Sequence, residues 1–129
     1  MRDNSLILTD AAVAADAFAA NALTINKTGH EGIWLMFHVT KTGADADERL
    51  DIRIFGKDTD SGWALTDPEV SHVPGQIGSG MVTNDTLRTY VRVQHKYKFM
   101  KPYYDVSGTT PGFTIVCSVV SGPQRETAA

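Results

Sequence analysis

The sequence predicts an all-β fold, an antiparallel β-sandwich of jelly-roll type, on three observations. Apolar and polar residues alternate with period two through most of the chain after residue 22. The alternating runs are short. Clusters of Gly, Pro, Asp and Ser divide them at near-regular spacing, which suits sheets packed face to face rather than βαβ units.

Each element follows from its own pattern. The segment Asp10–Asn21 (DAAVAADAFAAN) is the exception to period two. Alanine is the best helix former and Asp10 a competent N-cap, so the segment reads as a short helix with Val13 and Phe18 on its apolar face. The alternative is an extended arm, residues 1–21, along the sandwich edge. Ile33–Val39 places Ile33, Leu35, Phe37 and Val39 on one face and Trp34, Met36 and His38 on the other, which predicts an inner strand covered on both sides. Leu50, Ile52 and Ile54 point inward, with Asp51 and Arg53 outward. From Leu87 to Phe99 runs the longest alternation. It sets Leu87, Val91, Val93, Tyr97 and Phe99 against Arg88, Tyr90, Arg92, Gln94, Lys96 and Lys98. Phe113–Val120 closes the pattern with Phe113, Ile115, Cys117 and Val119 inward. Ala22–Asn26, Gly62–Leu65 and Gly80–Thr83 are weaker strand candidates. Turns fall at Lys41–Asp47, Gly56–Gly62, Pro74–Gly80 and Ser107–Gly112, where the residues supply positive φ, a fixed φ or local side-chain bonds. The last residues, Gly122–Ala129, read as a flexible tail.

Composition narrows the classes. The 129 residues, 42% hydrophobic and 21% charged, suffice for one domain spanning 1–129 and exclude wholesale disorder. A net charge of −3 argues against a nucleic-acid coat. Cys117, the single cysteine, excludes an internal disulfide. The most apolar runs, Ile33–Val39 and Phe113–Val120, fall far short of the ~20 residues of a membrane-crossing helix. The N-terminal residues lack the features of a secretory leader, so a soluble protein is expected.

No chemical motif is complete. Asp58, Asp60 and Glu69 occupy positions one, three and twelve of a calcium loop, but Trp63 stands where the sharp-turn glycine belongs and no flanking helices are predicted. His30, His38, His72 and His95 are too scattered to share a metal, although His38 and His95 could meet across a sheet. Ser79 lies outside any nucleophile elbow. The glycines at 75, 78 and 80 do not lead from a strand into a helix, as a phosphate cradle requires. Cys117 reads as a core residue. No cofactor, metal or enzymatic activity is therefore expected.

The basic stripe carries more information. Residues 86–101 hold five basic residues and no acid, with Tyr90, Tyr97, Phe99, Tyr103 and Tyr104 interleaved or adjacent. Arg and Tyr are enriched at protein interfaces, so Arg88, Arg92, Lys96, Lys98, Tyr103 and Tyr104 are the candidate interface residues. A solvated face and a single-stranded nucleic-acid groove are the other readings of the same residues.

Leu87–Val93 (LRTYVRV) and Ser107–Ile115 (SGTTPGFTI) resemble the closing strands of the small head proteins of tailed bacteriophages, which act as capsid decoration or cement proteins. The Ala-rich opening, the DSGW that ends Phe55–Trp63 and the chain length fit the same family. His95–Asp105 (HKYKFMKPYYD) departs from it as an insertion-like segment. The resemblance implies a non-enzymatic virion protein on the capsid surface, assembled in the host cytoplasm. It would bind the major capsid protein, commonly as a homo-trimer, with no membrane or direct nucleic-acid contact. The rival readings are a carbohydrate-binding module stacking sugars on Trp34, Trp63, Tyr103 and Tyr104, and a small jelly-roll hydrolase with carboxylates gathered in one cleft. Charge distribution fits assembly: residues 42–69 hold eight acids against three bases, a net of −5, and residues 86–101 carry +5. Such opposed segments suit docking between subunits or pairing within one sandwich.

Overall fold

The computed structural model describes residues 7–19, 22–24, 32–43, 47–73, 77, 81–94, 97–109 and 111–120. These residues form nine strands: β1 (Ile7–Val13), β2 (Ala17–Phe18), β3 (Leu23–Thr24), β4 (Ile33–Lys41), β5 (Arg49–Lys57), β6 (Glu69–His72), β7 (Thr86–Val93), β8 (Phe99–Ser107) and β9 (Phe113–Val120). One sheet has the order β1-β9-β4-β7. The other has the order β2-β8-β5-β6, with β3 also on β8. Every pairing is antiparallel.

The connectivity is that of a jelly roll. First pairs with last (β1–β9), then β2 and β3 with β8, β4 with β7, and β5 with β6. The chain thus behaves as one long antiparallel ribbon rolled up, with successive pairs placed alternately in the two sheets.

The inward faces carry out the period-two reading. Leu35, Phe37 and Val39 of β4, Leu50, Ile52 and Ile54 of β5, Val91 and Val93 of β7, and Phe113, Ile115 and Cys117 of β9 are buried in one core. Burial in that core pushes the Cys117 thiol pKa well above its usual range, so it stays a thiol. A buried bond ties the sheets: Thr9 Oγ1 on β1 lies 2.6 Å from the Tyr104 hydroxyl on β8. Tyr104→Phe is expected to cost about 1–2 kcal/mol in urea unfolding, because it strands the buried Thr9 hydroxyl. The added change Thr9→Val should recover most of that loss.

Of the two alternatives for the Ala-rich segment, its described part takes the extended one: β1 and β2 belong to different sheets, and Leu8, Val13, Ala19 and Leu23 are buried in the core. A helix would leave both sheet edges bare. Three expectations are corrected. The long Leu87–Phe99 alternation is two strands rather than one, with β7 in the first sheet and β8 in the second. The supposed insertion His95–Asp105 contains most of β8, a central strand. Pro102 is tolerated there because its carbonyl, and hence its missing amide, faces the thin β2–β3 edge, where Ala19 N–H donates to Pro102 O. Gly62–Leu65 and the described part of Gly80–Thr83 form no strand.

Candidate functional site

The six interface candidates do not form one patch. Arg88 and Arg92 stand on the outer face of the first sheet, exposed, and pair in register with His38 and Trp34 of β4. Lys96 lies outside the described residues. Lys98 is exposed in the crossover to the second sheet, where its amide donates to Asp58 Oδ1 at 3.2 Å. Tyr103 is largely buried on the outer side of the second sheet, against Phe18 and Phe55. Tyr104 is 1% exposed and belongs to the core, so no partner reaches it. A Leu87–Phe99 strand would have aligned these residues, and the sheet-to-sheet crossover separates them.

The crossover also splits the basic segment. Lys101 pairs in register with Phe55 and lies 5.8 Å from the Trp63 ring centroid; Lys57 lies 5.9 Å from the same ring. Lys57 also donates to Gly62 O and pairs with Asp67 at 3.5 Å, while Arg53 pairs with Glu69 at 3.2 Å. Both ion pairs thus join residues within the acidic 42–69 segment, and the basic segment meets it through the Lys98 amide and through Lys101 over Trp63. The calcium-loop residues take part in this network. Asp58 accepts from Lys98, Asp60 from Trp63 Nε1 at 2.9 Å, and Glu69 from Arg53. Among the described residues no three His, Cys, Asp or Glu side chains converge as metal ligands. The pairing of His38 with His95 falls partly outside the described residues.

What remains is the outer face of the first sheet. Its rows follow from register: Val120–Trp34–Arg92, Ser118–Met36–Tyr90, Val116–His38–Arg88 and Thr114–Thr40–Thr86. Arginines bracket an apolar centre of Trp34, Met36, Tyr90, Val116 and Val120. Met36 is 8% exposed yet stands outside the core cluster, and Ser118 is wholly buried beside it with no partner for its hydroxyl among the described residues. Asp10 on β1 stands opposite Val116 in the row that runs on to His38 and Arg88. Period two placed Trp34, Met36 and His38 on one side of β4, but only the β4–β7 and β4–β9 pairings unite them with the arginines.

The second sheet carries a separate aromatic cluster. Phe18 lies 4.8 Å from Tyr103, 5.8 Å from Phe55 and 6.2 Å from Trp63 between ring centroids. The four residues expected to stack sugars are thus divided among Trp34 on one sheet, Trp63 and Tyr103 on the other, and Tyr104 in the core. They make no single platform. No family model and no curated protein sequence matches the chain.

Proposed function

We propose that this protein is a structural component of a tailed-phage virion that decorates or cements the capsid by binding the major capsid protein. The observation that carries this reading is the outer face of the first sheet, where Arg88 and Arg92 flank Trp34, Met36 and Tyr90. An aromatic and apolar centre with arginines at its margin is the composition of a protein interface. Its positive charge selects an acidic, apolar-centred patch on the shell as its partner. Arg88, Tyr90 and Arg92 of this face belong to LRTYVRV on β7, which resembles the phage head proteins, and the jelly roll is an architecture that viral shell proteins use.

Two measurements test the reading. Density-gradient-purified particles of the virus encoding this chain should retain it, and its absence from them overturns the proposal. The pair Arg88→Glu and Arg92→Glu should leave stability within about 0.5 kcal/mol of wild type, as exposed changes do. It should weaken particle binding at least tenfold, with added salt weakening the wild type in the same direction. Unchanged binding assigns the partner to another face. Binding on a glycan array in place of particles supports the sugar-module reading instead.

A further inference from the structure

The first sheet ends in two strands that, among the described residues, pair on one side only: β1 at one end and β7 at the other. Neighbouring strands alternate in direction across the sheet, so β1 runs antiparallel to β7. Three register rows cross the whole sheet without a shift. Asp10–Val116–His38–Arg88, Ala11–Ile115–Val39–Leu87 and Ala12–Thr114–Thr40–Thr86 each begin on β1 and finish on β7. The ends of these rows are where both edges are open. Asp10, Ala11 and Ala12 are the exposed residues of β1, and Thr86, Leu87 and Arg88 are exposed at the start of β7. Leu87 is 39% exposed although its row runs through the core residues Ile115 and Val39. Backbone polarity matches as well. Lys41 N–H donates to Asp85 O, so the odd residues of β7 bond to β4. Alternation carried across the sheet then turns the N–H and C=O of Thr86 and Arg88, and of Asp10 and Ala12, toward the two open edges.

We propose that β7 of one copy of this protein takes β1 of the next as an added antiparallel strand, row for row, so that the first sheet runs on from subunit to subunit. In that register Arg88 faces Asp10 of the next copy, Leu87 faces Ala11 and Thr86 faces Ala12. The Arg88–Asp10 and Thr86–Ala12 pairs exchange backbone hydrogen bonds, and the opposite charges stand side by side on the outer face. Leu87 meets a residue small enough to admit it. Charge selects β1 as the occupant over a second β7, since pairing two β7 strands crowds Arg88 and Arg92 of both copies along one seam. Arginines on a bare edge discourage indiscriminate pairing, and Asp10 answers one of them. The contact is head-to-tail, so it closes into a ring or continues as a filament. It involves copies of this chain alone and holds or fails separately from binding to a capsid.

Cysteine cross-linking of the purified protein tests the register. Within one chain positions 11 and 87 lie three strand spacings apart, roughly 14 Å, which is beyond the reach of a disulfide. Cys117 is sealed in the core. Under mild oxidation a chain carrying both Ala11→Cys and Leu87→Cys should link to its neighbours at least about tenfold faster than one carrying Ala11→Cys and Thr89→Cys, whose positions sit diagonally across the seam. Leu87→Cys alone should form no covalent dimer. Equal rates for the two double variants overturn the proposal, and dimers of Leu87→Cys alone replace it with β7–β7 pairing. Charge exchange is the second arm. Asp10→Arg and Arg88→Asp should each weaken self-association in sedimentation about tenfold or more, and an equimolar mixture of the two should restore it, because every seam again sets one arginine against one aspartate. A mixture that associates no better than either variant alone sinks the idea.

Discussion

Phe37→Ala is expected to remove about 3–5 kcal/mol of stability, a large share of the ~5–15 kcal/mol that a domain of this size holds. Phe37 is fully buried on β4, the strand held between β7 and β9, and its ring meets the Tyr104 ring edge-on at 6.4 Å. Truncation leaves a cavity between two sheets, each held by its own ladders, so the walls cannot close on it. The urea midpoint should drop while the slope stays unchanged, because the surface exposed on unfolding is nearly the same. Phe37→Leu, which keeps most of the volume, should cost under about 1.5 kcal/mol. Equal losses for the two variants would show that the site collapses freely and that the sheets are not rigid walls.

Gly108→Ala is the second large effect, roughly 2–4 kcal/mol from backbone strain and collision combined. Gly108 follows β8 with φ at +121°, and a Cβ there would lie 2.8 Å from the Cα of Glu48 and 3.1 Å from the Asp47 carbonyl. Neither atom can swing away as a side-chain tip does. The turn is fastened on the same residues: Thr109 donates its amide and hydroxyl to the Asp47 carboxylate, and these bonds hold the Asp47 pKa below the usual carboxylate range. Glu48 is wholly buried beneath it. Gly62→Ala separates the two causes. Its φ is +62°, but the nearest atom to an added Cβ is the mobile Lys57 Nζ at 3.6 Å. That variant should lose only about 1–2 kcal/mol, the left-handed backbone term alone. Thermal unfolding of both variants against wild type decides the matter; equal losses would remove the collision from the account.

Local patterns exposed much of this molecule. Leu50–Ile54 and Phe113–Val120 alternate because a strand sends neighbours to opposite faces, and the inward Leu50, Ile52, Ile54, Phe113, Ile115 and Cys117 are buried, although inward Val119 is only partly so and outward Ser118 is wholly covered. The turns at 56–62 and 107–112 carry glycines whose φ is positive where the chain reverses. The candidate docking face was half legible. Period two puts Trp34, Met36 and His38 on one side of β4, and Arg88, Tyr90 and Arg92 on one side of β7. That these two sides are a single surface depends on pairing between residues fifty or more positions apart.

Two features lay beyond local reading for one physical reason. Asp10–Asn21 has helical propensity worth only tenths of a kilocalorie per residue, whereas burying Leu8, Val13, Ala19 and Leu23 across two sheet edges is worth several kcal/mol. Leu87–Phe99 keeps period two throughout, yet the chain leaves one sheet for the other near residue 94, and alternation is blind to which sheet a strand joins. The sequence by itself determined an all-β sandwich, its inward residues and its turns, since periodicity and backbone sterics act between near neighbours. Tertiary structure alone decided the jelly-roll pairing, the extended N-terminal segment, the division of the basic stripe and the burial of Tyr104, because those follow from free energies shared between distant segments.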